Sequence, residues 1–111
     1  WEFDGSAWEP VVTRDSPSPR KYLGLAYAVE NQRVVLFGGQ DTVSPLQDLG
    51  DTWIFDGSEW LEVTLGKQPT ARRGHAMVYD DNRSRIVLFA GVRGPVFSEN
   101  SRLADRWETA Y

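Results

Sequence analysis

The stretch WEFDGSAWEPV at residues 1–11 returns as WIFDGSEWLEV at residues 53–63. Trp1 falls on Trp53 and Trp8 on Trp60, an offset of 52 residues. The same offset carries PSPRKYLGLAYAVENQRVVLFGG (17–39) onto PTARRGHAMVYDDNRSRIVLFAG (69–91), so that Arg20 meets Arg72, Tyr27 meets Tyr79 and Gly39 meets Gly91. Beyond Gly91 the second copy is two residues longer, and Asp51-Thr52-Trp53 aligns with Asp105-Arg106-Trp107. A unit of 52 to 54 residues therefore recurs, slightly more than twice, along the chain. Fixed-period self-similarity of this kind marks a repeat architecture, in which each copy is one supersecondary unit.

Each unit reads as four short strands. LGLAYA (23–28) and HAMVYD (75–80) alternate in side-chain type and lead into the polar turns VENQ and DDNRS. RVVLFGG (33–39) and RIVLFAG (85–91) are short, nearly continuous apolar runs, the pattern of strands covered on both faces. Asp-x-Trp-x-Phe (51–55) makes a third strand, and Asp56-Gly57-Ser58 turns it into a fourth, Trp60–Val63. An Asp-Gly pair between such strands is a strong hairpin signal. No window of helical length keeps a 3.6-residue period, and the chain reads as all-β.

Antiparallel four-stranded units at about 50 residues suit the blades of a propeller. GDTWIFDGSEW (50–60), the P-x-x-R-x-x-H-A-M-x-Y-D stretch (69–80) and R-I-V-L-F-x-G (85–91) together resemble kelch repeats. They are most similar to the tryptophan-rich form of bacterial kelch and galactose-oxidase-like central domains, and the resemblance covers essentially the whole chain. Three departures stand out: Leu23 where the second copy has His75, Ala90 in place of a glycine, and a final WETAY without Asp-Gly. The resemblance implies that residues 1–13 are strands three and four of one blade, 20–64 a complete blade, and 69–111 strands one to three of the next. About 4–8 blades close a propeller, so the ring is incomplete in this chain. Either further blades belong to a longer propeller, or copies associate to supply them.

Composition narrows the function. The 111 residues carry 16 acidic and 12 basic side chains, one His and no Cys, for a formal charge of −4. Net negative charge is the wrong sign for a nucleic-acid footprint. No apolar run approaches the roughly 20 residues of a membrane helix. The absence of Cys removes disulfides, thiolate nucleophiles and sulfur-ligated metal, and one His cannot build a multi-histidine metal site. A copper centre of the galactose-oxidase kind needs a Cys-modified Tyr and several His, so that activity does not transfer. No cofactor is expected. His75 has no evident acid–base partner, and Ser98, His75 and an Asp make a triad only on paper, without a nucleophile motif.

Recurrence between the copies separates scaffold from site. Trp1, Trp53, Trp107, Trp8 and Trp60 recur, and read as blade-to-blade packing. Arg20 and Arg72 recur and are expected to bond nearby backbone or carboxylates, or to stack on Trp; Asp51 and Asp105 are expected to bond loop backbone. The long strand 2–3 connections, QDTVSPLQDLG (40–50) and VRGPVFSENSRLA (92–104), differ most between copies and fall at one end of the blades. Long loops on a rigid β scaffold are where binding residues gather. The candidates are Gln40, Asp41, Leu46 and Gln47 in one loop, with Arg93, Phe97, Glu99, Asn100 and Arg102 in the other. The expected function is binding of a protein or peptide partner through this face, without catalysis of its own. The rival expectations are an enzyme propeller acting on carbohydrate at the central opening, and a purely architectural fragment that assembles.

Overall fold

The structure, a computed structural model, describes residues 1–94 and 101–110. It is all-β, with no α-helix among those residues, and the sheets do not close into a ring. Among the described residues ten strands form three antiparallel sheets. β1 (Glu2–Phe3) and β2 (Trp8–Glu9) pair only with each other. The central sheet contains β3 (Arg20–Lys21), β4 (Gly24–Ala28), β5 (Arg33–Asp41), β6 (Asp48–Phe55) and β7 (Trp60–Val63). In it β4, β5, β6 and β7 make an up-and-down meander, and β3 pairs with the far end of β5. The last sheet is β8 (Ala76–Asp80), β9 (Arg85–Phe89) and β10 (Arg106–Thr109), in the order β8-β9-β10.

The turns show why these strands form where they do. Asp56 Oδ1 accepts hydrogen bonds from the backbone N–H groups of Ser58 and Glu59, each at 2.9 Å, while Gly57 takes a φ of +103°. Asp4 closes the first hairpin identically, accepting from Ser6 at 2.8 Å and Ala7 at 2.9 Å. An Asp side chain that mimics a backbone turn and a glycine that tolerates positive φ together set the hairpin. Within β5 the register shifts between Phe37 and Gly39. Gly38 and Gly39 both have positive φ, and a Cβ on Gly38 would come within 2.7 Å of the Arg72 carbonyl oxygen of the next sheet. The diglycine is thus both a bulge and a point of close approach.

Pairing assigns the faces. Leu25, Leu36 and Trp53 are lateral neighbours on one face of the central sheet; Ala26, Val35 and Ile54 are neighbours on the other. The second set packs against the last sheet, where Ala26, Ala28, Val35, Ile54 and Ile86 form the core, flanked by Val63, Met77 and Tyr79. Met77 and Tyr79 stand 52 residues after Leu25 and Tyr27. The front of one sheet therefore meets the back of the next, in a contact that can be repeated in either direction.

The two apolar runs meet different fates. In β5, Val35, Leu36 and Phe37 are all buried, as expected of a strand covered on both faces. In β9, Ile86 and Leu88 are buried but Phe89 is 51% exposed, because no sheet lies behind it. The tryptophans differ for the same reason. Trp53, Trp60 and Trp107 are half-buried, whereas Trp1 and Trp8 are 78% and 65% exposed.

Candidate functional site

A fixed unit of Arg, Asp and Trp pins the end of the central and of the last sheet from which the long loops leave. Arg20 donates to Asp51 Oδ1 at 2.6 Å and to Oδ2 at 2.8 Å, and also to the Ser18 and Gly38 carbonyls. Trp53 Nε1 donates to the same Asp51 Oδ2 at 2.7 Å. Arg72 repeats every element: Asp105 at 2.6 and 2.8 Å, the Thr70 and Ala90 carbonyls, and Trp107 Nε1 on Asp105 at 2.8 Å. The fork of the guanidinium matches both carboxylate oxygens. Burial pushes Asp51 upward, but the Arg20 and Trp53 hydrogen bonds outweigh it and hold its carboxyl below the ordinary value. The Arg72 hydrogen bonds depress Asp105 strongly. Asp51 and Asp105 thus bind side chains rather than the loop backbone expected from the sequence. These charges are spent within the scaffold.

A second clamp joins the two long loops. Arg73 Nη1 contacts Asp48 Oδ1 at 2.5 Å and donates to the Gly94 carbonyl at 3.0 Å, while Gly94 N donates to Asp48 Oδ2 at 2.7 Å. Asp48 leaves the first loop; Gly94 begins the second. Both ends are further matched by backbone bonds: Asp41 N donates to the Gln47 carbonyl and Arg93 N to the Ser101 carbonyl, each at 2.9 Å. The loops therefore emerge from one end of adjacent sheets with their stems fixed.

Gln40 and Asp41 are half-buried at the end of β5, paired with Lys21 and Arg20. Leu46 and Gln47 are exposed in the loop that follows, as is Val43. Arg93 and Arg102 are exposed, and Val92 pairs with Arg102 across the second loop. Phe97, Glu99 and Asn100 lie outside the described residues. Sequence reasoning passed over Tyr22. It is 61% exposed, its φ is +57°, and the Lys21 ammonium lies 5.6 Å from its ring centroid. The available signal was the 52-residue offset, which places it on Gly74, also at positive φ.

His75 belongs to the sheet contact. It is 7% exposed, its Nε2 shares a 2.9 Å hydrogen bond with the Phe37 carbonyl, and its ring stands edge-on to Phe37. Donation to that carbonyl puts the proton on Nε2 and leaves Nδ1 buried without a partner. Burial lowers its pKa, and the nearby Arg72 charge acts the same way. An apolar cavity of about 210 Å³ lies between the sheets, walled by Val35, Phe37, Met77, Leu88 and Trp107, with the unpartnered Thr52 hydroxyl at its edge. It runs beside β10, whose second edge carries no strand among the described residues, whereas β6 has β7 there.

Successive front-to-back sheets at a 52 to 54 residue period, each pinned by the same Arg–Asp–Trp unit, define part of a β-propeller. The repeats are kelch repeats. The chain is 32% identical over 101 residues to the Rab9 effector protein with kelch motifs of Bos taurus, a match covering 87% of this chain and 26% of that protein. The proteins of the same name from Rattus norvegicus and Xenopus laevis are 32% and 29% identical over 94 and 96 residues, covering 82% and 83% of this chain. The chain spans about a quarter of the length of these relatives. No protein-family model matches it.

Proposed function

We propose that this chain is part of a propeller that binds a protein partner through the end from which its long loops leave. The observation that carries the reading is the Asp48–Arg73–Gly94 clamp, which fixes the stems of both loops while Leu46, Gln47, Arg93 and Arg102 stay exposed. Variable loops on a rigid base are the usual form of a recognition surface. The relatives bear the name of an effector protein, which supports a protein rather than a small molecule as partner.

The reading divides the chain into residues 1–13, 20–64 and 69–111 as pieces of three successive blades. Further blades, from a longer chain or from other copies, then cover the open sheet faces.

Alanine at Leu46, Gln47, Arg93 and Arg102, measured by calorimetry against a partner identified by proximity labelling, tests the assignment. A tenfold or greater loss of affinity with an unchanged circular dichroism spectrum is expected. Unchanged affinity across all four overturns it.

A further inference from the structure

Among the differences between the repeats, three fall at positions that the fold brings together. Where the first repeat has Asp41 the second has Arg93, and where the first has Asp48 the second has Arg102. Both changes exchange an acid for a base. The third is Tyr22, where the second repeat has Gly74.

Backbone pairing links these residues in one strip. The Tyr22 carbonyl accepts from Gly74 N at 2.8 Å; Arg73, next to Gly74, pairs with Val92 at 2.9 and 3.0 Å; and Val92 pairs in turn with Arg102. Each pairing advances about 4.8 Å, so Lys21, Tyr22, Arg93 and Arg102 occupy one end of the molecule within reach of a short peptide. Arg73 is committed to Asp48. Arg93 and Arg102 are exposed and enter no ion pair among the described residues. Asp41 and Asp48, both half-buried, are the carboxylates at the stem of the first loop, and Asp48 is the one bonded to Arg73.

Tyr22 adds an independent observation. A bulky residue at positive φ costs free energy that glycine avoids, and such outliers collect where a surface has work to do. The Gly74 bond fixes the Tyr22 backbone and leaves its ring exposed next to the Lys21 ammonium.

We infer that Arg93 and Arg102, with Tyr22 and Lys21 beside them, form a docking strip for an acidic segment of the partner protein. This rests on the proposed binding function and specifies the partner's chemistry. The charge of the strip opposes the −4 of the whole chain, so the cations are a local feature rather than an overall excess. Arginine forks take carboxylates in pairs, and an exposed tyrosine supplies rigid contact area at small entropic cost.

The test uses the full chain and two fluorescein-labelled twelve-residue probes, one alternating Glu with Leu and Gly, the other with Lys in place of Glu. Anisotropy should show binding of the acidic probe, weakened at least fivefold between 0.05 and 0.3 M salt, and at least tenfold weaker binding of the basic one. R93D/R102D, which installs the acids of the first repeat, should abolish binding. R93K/R102K, which keeps the charge without the fork, should restore part of it, a rescue that a purely steric defect would not show. Y22G should weaken the probe severalfold without lowering the melting temperature.

Equal binding of both probes, or binding of the acidic probe that survives R93D/R102D, overturns the inference. So does failure of the acidic probe to bind at millimolar concentration. If the arginine variants change the solution mass of the chain rather than peptide binding, the strip serves contact with another sheet and the inference falls. If the identified partner loses affinity on alanine replacement of Leu46 and Gln47 but not of the arginines, the loop-end function stands and the acidic class falls.

Discussion

Arg72 and Asp105 face each other through two parallel hydrogen bonds of 2.6 and 2.8 Å, with the guanidinium wholly buried and the carboxylate partly open to solvent. Arg20 and Asp51 make the same pair one repeat earlier. Each ties the entry to strand one of a sheet to the start of strand three. The asymmetry of burial means that the two partners are not equivalent to remove.

Asp105→Ala strands a buried guanidinium, and loss of one member of a buried pair costs about 3–5 kcal/mol. Arg72→Ala leaves a carboxylate that water can reach, and a smaller loss is expected. Urea denaturation of the two variants checks the order. Equal effects would mean that the pair is solvated on both sides.

His75 makes the stability depend on pH. Its pKa is lowered in the folded chain, chiefly by burial, so below the ordinary value of 6.5 the unfolded chain binds more protons. Stability is complete above about pH 6.5 and declines as pH falls from there toward the depressed folded value. Leu23 occupies the equivalent place in the first repeat. His75→Leu should therefore remove the slope of melting temperature against pH near 6, while leaving the steeper acid limb. That limb belongs to the carboxylates with lowered pKa values, Asp51 and Asp105 among them, which contribute stability above the ordinary aspartate range that is lost on further acidification.

Thr52 presents a buried hydroxyl with no partner, at the rim of an apolar cavity. Thr52→Val keeps the shape and removes the unsatisfied group. A gain of about 1 kcal/mol is expected from thermal or urea unfolding. Destabilisation would mean that the hydroxyl has a partner, such as bound water.

The open faces should be adhesive. Leu25 and Tyr27 are exposed on the front of the central sheet, and Val78 and Phe89 on the back of the last. Within the chain, front packs on back; between chains the same contact is head-to-tail and need not close. Light scattering at rising concentration should give masses above the 12.6 kDa of one chain. Phe89→Glu should return the mass toward that of one chain. A folded monomer at all concentrations would refute the adhesive face.

Trp53→Ala is expected to cost about 2 kcal/mol, less than the 3–5 typical of a fully buried aromatic, because the ring is half-buried and its hydrogen bond to Asp51 leaves that carboxylate still held by Arg20. Denaturant titration settles the magnitude. A loss well above this range would show that the open face is covered in solution.

The repeat offset, the Asp-Gly-Ser turns and the alternation of LGLAYA and HAMVYD determined the strands and the all-β class, because turn chemistry and the period of two are local properties of the chain. The pairing of Arg20 with Asp51, the clamp of Asp48 on Arg73 across two sheets, and the exposure of Trp1, Trp8 and Phe89 were decided by tertiary structure. Burial depends on what lies against a face, and a run such as RIVLF reads the same whether or not another sheet stands behind it. Tyr22 belongs to the same class. Its sequence neighbours describe an ordinary strand entry, and only the folded backbone shows a tyrosine held in a conformation its counterpart meets with glycine.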